Sequence, residues 1–317
     1  MKKRKPLDLH PVKHATCKKC KQNFRRENLS EGVCNEIVSE VDGQSIRCVG
    51  TWVYDKIYFL TRYFDIFGKG MHKSWQGNVH YIEICSGPGR CIKRDTGEEI
   101  DGTALAVMHN DAYPLYKSVT FFDINPLVVD ALNKRITTLG QAGKALAVQA
   151  DYMQPGHLIE VCQQRAPLGL SLIFLDPTDC SVPMQTIARL SKSLKAVDFI
   201  INVATGTDAN RNLKTAFANP DGPVRKKYET FLGSNVFFTA PENIYLAKTN
   251  QDAELRAKFR SAYQSALTAE GYQHFGLEII HHYYDLLFAS KHPTGLKFWQ
   301  QAQCIRPNSQ STLNLGI

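Results

Sequence analysis

No apolar run in the 317 residues approaches the roughly 18 needed to span a bilayer, and the N-terminus, MKKRKPLDLH, lacks the apolar core of a secretory signal. A membrane-spanning or exported chain is therefore not expected, and a cytoplasmic one is. The nine cysteines then have no oxidising compartment to pair them, so reduced thiols or metal ligands are expected in place of disulfides. Acid is nearly missing from the first 26 residues, where Asp8 stands against ten Lys or Arg for a charge of +9. The rest of the chain carries 28 basic and 29 acidic residues, so the whole net charge of +8 sits at one end. A solvated tail would look like this, and so would a segment that grips phosphate backbone. Because the charge runs on into a cysteine cluster, a nucleic-acid partner is the preferred reading and a protein partner the alternative. The remaining composition, 43% hydrophobic and 21% charged, is that of a soluble chain with a substantial core.

The cluster is Cys17, Cys20, Cys34 and Cys48. Two thiolates two residues apart hold one tetrahedral zinc from a tight turn, and two more close a structural four-thiolate site. His10 or His14 is an alternative fourth ligand. Between Cys34 and Cys48, Asp42-Gly43 reads as a two-residue hairpin turn, which makes residues 1–50 a basic, zinc-ribbon-like module. No βαβ pattern surrounds the CxxC, so a redox role is not expected.

The stretch Tyr81 to Arg90, YIEICSGPGR, carries the strongest signal of function. An apolar strand bearing Glu83 runs into Ser86, Gly87 and Gly89, and glycine there lets backbone approach an adenosine-containing cofactor closely. TFFDIN follows, with Asp123 placed to hold ribose hydroxyls and Ile124 beside it. ALAVQAD ends in Asp151, and LSLIFLDP ends in Asp176-Pro177 with Asp179 just beyond. Four strands, each with a carboxylate at its C-terminal end, make a site at one sheet edge.

This series resembles the class I S-adenosylmethionine (SAM)-dependent methyltransferases. The fuller pattern, with DGTALAVM, DFIINVATGTDANRN and LLFASKHPTGLKFW, resembles the three-Cys-motif partner proteins from about Trp52 to Trp299. The resemblance implies a Rossmann-like doubly wound sheet, SAM as cofactor and methyl transfer, and says little about the acceptor. It places Glu83, Ser86, Gly87, Gly89, Asp123, Ile124 and Asp151 at the cofactor, although Glu83 stands where Asp is more usual and Cys85 where a small residue is. It places Asp176, Pro177 and Asp179 at the acceptor. In methyltransferases of exocyclic amines an acid or amide followed by proline orients the target nitrogen, but the proline and aromatic that usually follow are Thr178 and Asp179 here.

Strand and helix alternate along the rest of the chain, as a parallel sheet requires. An aromatic helix is expected over 52–67, a helix capped by Asn125-Pro126 and stopped at Gly140, and another over 183–194. Charged IKRDTGEEID reads as a loop. Residues 205–271, with a long helix from Ala253 and Arg225-Lys226-Lys227, read as a helical insertion or lid within a SAM-binding domain spanning 51–204 and 272–317. Cys180, three positions past Pro177, reads as a buried structural thiol, and His281-His282 as a turn. Two functions follow: methylation of RNA or DNA at a base or ribose, or methylation of a protein, peptide or small molecule, the latter including a SAM-binding partner subunit.

Overall fold

The computed structural model describes residues 38–50, 52–93 and 98–306. Along the chain come β1 (Arg47–Val49), α1 (Val53–Met71), β2 (Val79–Ile84), β3 (Arg90–Lys93), β4 (Glu99–Asp101) and α2 (Thr103–Met108). Next are β5 (Ser118–Asp123), α3 (Pro126–Thr138), β6 (Ala145–Gln149), α4 (Gly156–Arg165), β7 (Leu170–Leu175), α5 (Met184–Ser193) and β8 (Ala196–Val203). Five helices follow, α6 (Asn210–Ala218), α7 (Pro223–Leu232), α8 (Val236–Thr239), α9 (Pro241–Lys248) and α10 (Asp252–Ala269). The series closes with β9 (His274–Ile280), β10 (Tyr284–Ser290) and α11 (Pro293–Gln303).

One sheet takes the order β6-β5-β2-β7-β8-β10-β9. Its first five strands are parallel, and β10 runs antiparallel to both β8 and β9. Every residue of β2 (VHYIEI) and β7 (LSLIFL) is buried, as expected of mainly apolar strands covered on both faces, and His80, Glu83 and Ser171 are buried with them. The strand order reverses between these two neighbours. Doubly wound sheets open a ligand crevice at that point, beyond the C-terminal strand ends.

Local sequence explains the helices that flank it. Asn125 caps α3 by accepting from Leu127 N at 2.9 Å, Pro126 occupies the first turn, and Gly140 ends the helix at φ 68°. On α1 the buried stripe is Phe59, Leu60, Tyr63, Phe64 and Phe67, while Ile57 is only half-buried. The helices α6 to α10 share an aromatic core in which Phe231 stacks on Tyr263 at 4.2 Å. That insertion is tied to the sheet by a π-type turn over Thr205–Ala209, whose Thr205 hydroxyl donates to buried Asp285 at 2.7 Å.

Three expectations are corrected. The charged segment after the glycine turn is not a simple loop, since β3 and β4 pair antiparallel within it. The Asp42-Gly43 turn is wider than two residues: Val38 bridges Ser45, Ser39 N donates to Gln44 O, and Gly43 at φ 68° donates back to Ser39 O. Residues 38–50 do not stand apart from the main body either. β1 pairs in parallel with β3, Ile46 is fully buried, and Asp42 accepts a two-pronged hydrogen bond from Arg135 on α3 at 2.7 and 2.9 Å. The rest of the expected ribbon, with Cys17, Cys20 and Cys34, lies outside the described residues. Among the described residues no group of three or more His, Cys, Asp or Glu is arranged to hold a metal. No described helix is long and apolar enough to cross a membrane.

Candidate active site

β2 delivers the chain into the turn Cys85–Gly89 at the crevice. Gly87 and Gly89 have φ of 66° and 88°, where a side chain is strained, and a Cβ on Gly89 would press to 2.8 Å from Leu132. Gly89 thus lets α3 pack beneath the turn, and Gly87 leaves its outer side open. Cys85 also adopts φ 67°, at the position usually small. Ser86 is nearly buried and donates its N–H to Phe122 O at 3.0 Å, which fastens the turn to β5.

At the end of β5, Asp123 is half-exposed and fixed by two backbone donors, Gly87 N at 3.1 Å and Asn125 N at 3.0 Å. Ile124 follows with its apolar side chain 58% exposed. Asp151, beyond β6, accepts from Met153 N at 2.8 Å and shapes its own turn. Asp123, Ile124, Gly87 and Asp151 thus meet at one edge. Glu83 does not join them. It is fully buried under the turn, where Tyr81 donates to one carboxylate oxygen at 2.9 Å and Thr103 donates to the other. Burial raises its pKa to about 8 despite those two donors. Glu83 therefore props the turn from below and does not reach toward ribose.

At the end of β7, Asp176 N continues the sheet to Ile84 O at 2.9 Å and its carboxylate accepts from polar groups of two other elements. Lys56 of α1 donates to Oδ2 at 2.5 Å, and Asn202 of β8 donates to Oδ1 at 2.8 Å and to Pro177 O at 3.3 Å. Asn202 Oδ1 is buried and has no hydrogen-bond partner among the described residues. Asp179 accepts from Ser181, which is itself bonded to Tyr152 at 2.8 Å, and lies 3.3 Å from Lys227. Lys227 also holds Asp208 of the π-type turn at 2.7 Å, so the insertion reaches the same edge. Cys180 is fully buried and burial pushes its thiol up, which suits a structural role and not a nucleophile. His281 and His282, both at positive φ, form the β9–β10 turn, with His281 Nε2 2.7 Å from Asp55 Oδ2.

Sequence reasoning missed Lys56, Asn202 and Arg47. Lys56 sits in the first turn of an aromatic helix and Asn202 is a lone amide in the apolar run DFIINV. The latter anomaly was a usable signal, since an amide inside a buried strand needs a partner. Arg47 had none, because only the pairing of β1 with β3 brings it to the turn.

The glycine cradle, the fixed Asp123 carboxylate and the exposed Ile124 fit a nucleoside, with hydroxyls at the acid and a base against the apolar face. No family model matches the chain, and no curated protein does. Among solved structures it is similar to an O-methyltransferase from Bacillus cereus in complex with SAH, at 10% identity and TM-score 0.42 over 90% of this chain and 94% of that one. It is also similar to an O-methyltransferase from Streptomyces achromogenes involved in tomaymycin synthesis, in complex with SAM, at 10% identity and TM-score 0.40 over 88% and 90%. A putative SAM-dependent methyltransferase from Methanococcus maripaludis matches at 15% identity and TM-score 0.35 over 75% of this chain and 90% of that one. Likenesses this distant fix neither activity nor substrate.

Proposed function

We propose that the protein is a SAM-dependent methyltransferase of nucleic acid, belonging with the three-Cys-motif partner proteins. The observation that carries the cofactor assignment is the Asp123 carboxylate held on Gly87 N at 3.1 Å beside exposed Ile124, at the point where the strand order reverses. Asp123 would take the ribose hydroxyls, Ile124 and Asp151 the base, and Ser86 to Gly89 the backbone side of the cradle. SAM bound there supplies a methyl group activated on a sulfonium.

The acceptor belongs at Asp176, Lys56 and Asn202, with Pro177 and Asp179 beside them. The Lys56–Asp176 pairing favours a hydroxyl, such as that of ribose, over an exocyclic amine. A hydroxyl oxygen donates its proton to Asp176, accepts from the Lys56 ammonium, and still keeps a lone pair. An amine nitrogen has one lone pair, which the ammonium would occupy. The nucleic-acid assignment rests on the +9 charge of residues 1–26, and a structural zinc held by Cys17, Cys20, Cys34 and Cys48 completes the proposed basic module.

Calorimetry with S-adenosylhomocysteine tests the cofactor assignment. Binding to the wild type and its loss in Asp123→Ala are expected; no binding by the wild type removes the methyltransferase reading, and equal binding by both proteins removes Asp123 from the cofactor site. A small-molecule or protein acceptor is supported instead if methyl label enters such material and not RNA or DNA.

A further inference from the structure

The cations at this edge are almost all matched by acids of the chain. Lys56 is paired with Asp176, Lys227 with Asp208 and Asp179, and Arg90 lies 3.9 Å from Asp42 and 3.8 Å from Asp101. Arg47 is the exception. Among the described residues, neither an ion pair nor a hydrogen bond is found for its guanidinium, although it is half-buried. A Cβ built on Gly87 would stand 3.7 Å from Arg47 Nη1 and 3.9 Å from its Cδ, so the side chain lies across the open side of the glycine turn. Asp123 holds the N–H of the same glycine. The two flanks of Gly87 are thus an acid for hydroxyls and an unmatched cation.

Nor is Arg47 free to swing in from afar. Its strand is registered against β3, with Arg47 opposite Cys91, and the preceding Ile46 is fully buried. The loop before it is bolted to α3 through Arg135, which grips Asp42 and also donates to Ser45 O at 2.8 Å and Pro88 O at 2.5 Å. Pro88 lies between the two turn glycines, so one buried guanidinium fixes the turn and the Arg47 segment to each other. A segment held in this way presents a charge at a set place.

We infer that Arg47 binds the α-carboxylate of the methionine portion of the cofactor, which makes residues 38–50 part of the cofactor site. This rests on the methyltransferase reading above. The carboxylate is the one anionic group of SAM and of S-adenosylhomocysteine, and a guanidinium meets a carboxylate through paired charge-assisted hydrogen bonds. Asp123, held by backbone donors and matched by no cation among the described residues, would repel that group from its own flank, which leaves the Arg47 side of Gly87 as its place.

The test uses two ligands, S-adenosylhomocysteine and 5′-methylthioadenosine, which keeps the nucleoside and thioether and lacks the amino-acid end. Calorimetry of the full chain and of Arg47→Met should show the homocysteine ligand weakened about 10- to 100-fold and methylthioadenosine unchanged, because hydrogen bonds to charged groups carry energies of that order. Arg47→Lys should recover part of the loss. Equal weakening of both ligands, or no weakening of either, overturns the assignment of Arg47 while leaving the methyltransferase reading in place. If the wild type binds neither ligand, the methyltransferase reading itself falls and this inference falls with it. Retained methylthioadenosine binding also reports that the variant is folded at the site.

Discussion

Lys56 Nζ stands 2.5 Å from Asp176 Oδ2, joining the first turn of α1 to the end of β7 across 120 residues of sequence. Both side chains are largely buried, at 14% and 10% exposure, so the pair is shielded from solvent. Removing either partner leaves the other charge uncompensated. Lys56→Met and Asp176→Asn are therefore expected to lower turnover by two orders of magnitude or more while S-adenosylhomocysteine affinity changes less than about threefold. Single-turnover kinetics beside calorimetry checks this, and full activity in Asp176→Asn would reduce Asp176 to a structural role. The same assay identifies the methylated atom by mass spectrometry of the digested product, where O-methyl is expected.

Breaking the Asp42–Arg135 clamp should destabilise the fold and weaken cofactor binding together. Arg135 is 4% exposed and Asp42 lies at the surface, so Asp42→Asn strands a buried cation. The loss expected is about 2 kcal/mol by denaturant unfolding, the order of hydrogen bonds to a charged group, because Arg135 keeps the Ser45 and Pro88 carbonyls as acceptors. Homocysteine-ligand affinity should fall in parallel, because Arg47 rides on the same segment. Unchanged unfolding midpoints would show that Asp42 contributes nothing at this contact.

Glu83 gives the protein a pH dependence of defined sign. Its folded pKa of about 8 lies above the ordinary carboxyl value of 4.5, so the folded state holds a proton through that window which the unfolded state has released. Stability is fully present below pH 4.5 and declines as pH rises through about 8, by about 1.4 kcal/mol for each unit of displacement. Buried Asp198, raised to about 7 by burial, acts in the same direction. Glu83→Gln should flatten the decline and gain stability relative to wild type between pH 5 and pH 8. Parallel curves for the two proteins would mean that Glu83 is ionised in the folded state.

The basic segment should reveal itself through salt. If about five of its cations neutralise phosphates, log affinity for RNA or DNA should fall with log salt at a slope near −4 to −5. Replacing Lys2, Lys3, Arg4, Lys5, Lys13 and Lys21 with Gln keeps every thiol and should make the slope shallower, with one zinc per chain by elemental analysis and unchanged SAM affinity. The same slope and affinity in both proteins would favour a protein partner for this segment.

How much of this was legible in the sequence follows from the range of the interactions concerned. Local rules located α3 from Asn125-Pro126 and Gly140, because capping involves residues within one turn of each other. They located the strand-end acids for the same reason, since Asp123, Asp151 and Asp176 each close an apolar run. The role of Glu83 was not legible, because its two partners include Thr103, twenty residues on and brought back by the β3–β4 hairpin. The charged segment IKRDTGEEID looked like a loop because β3 and β4 are short and only half apolar. Lys56, Asn202 and Arg47 acquire meaning only when distant strands are set side by side.

The position of β10 bears on how the molecule is made. Its residues occupy the slot between β8 and β9, so that Leu286 pairs with Asn202 on one side and with Glu278 on the other. On the ribosome, β8 therefore waits with an unpaired, apolar edge while the five insertion helices and β9 are synthesised, and β9 has no place in the sheet when it emerges. The parallel half of the sheet, β6-β5-β2-β7, can assemble early, but the edge beside Asn202 is sealed only once Ser290 has left the exit tunnel. A chain halted before Tyr284 presents that edge to any neighbouring strand and is a substrate for chaperones and proteases.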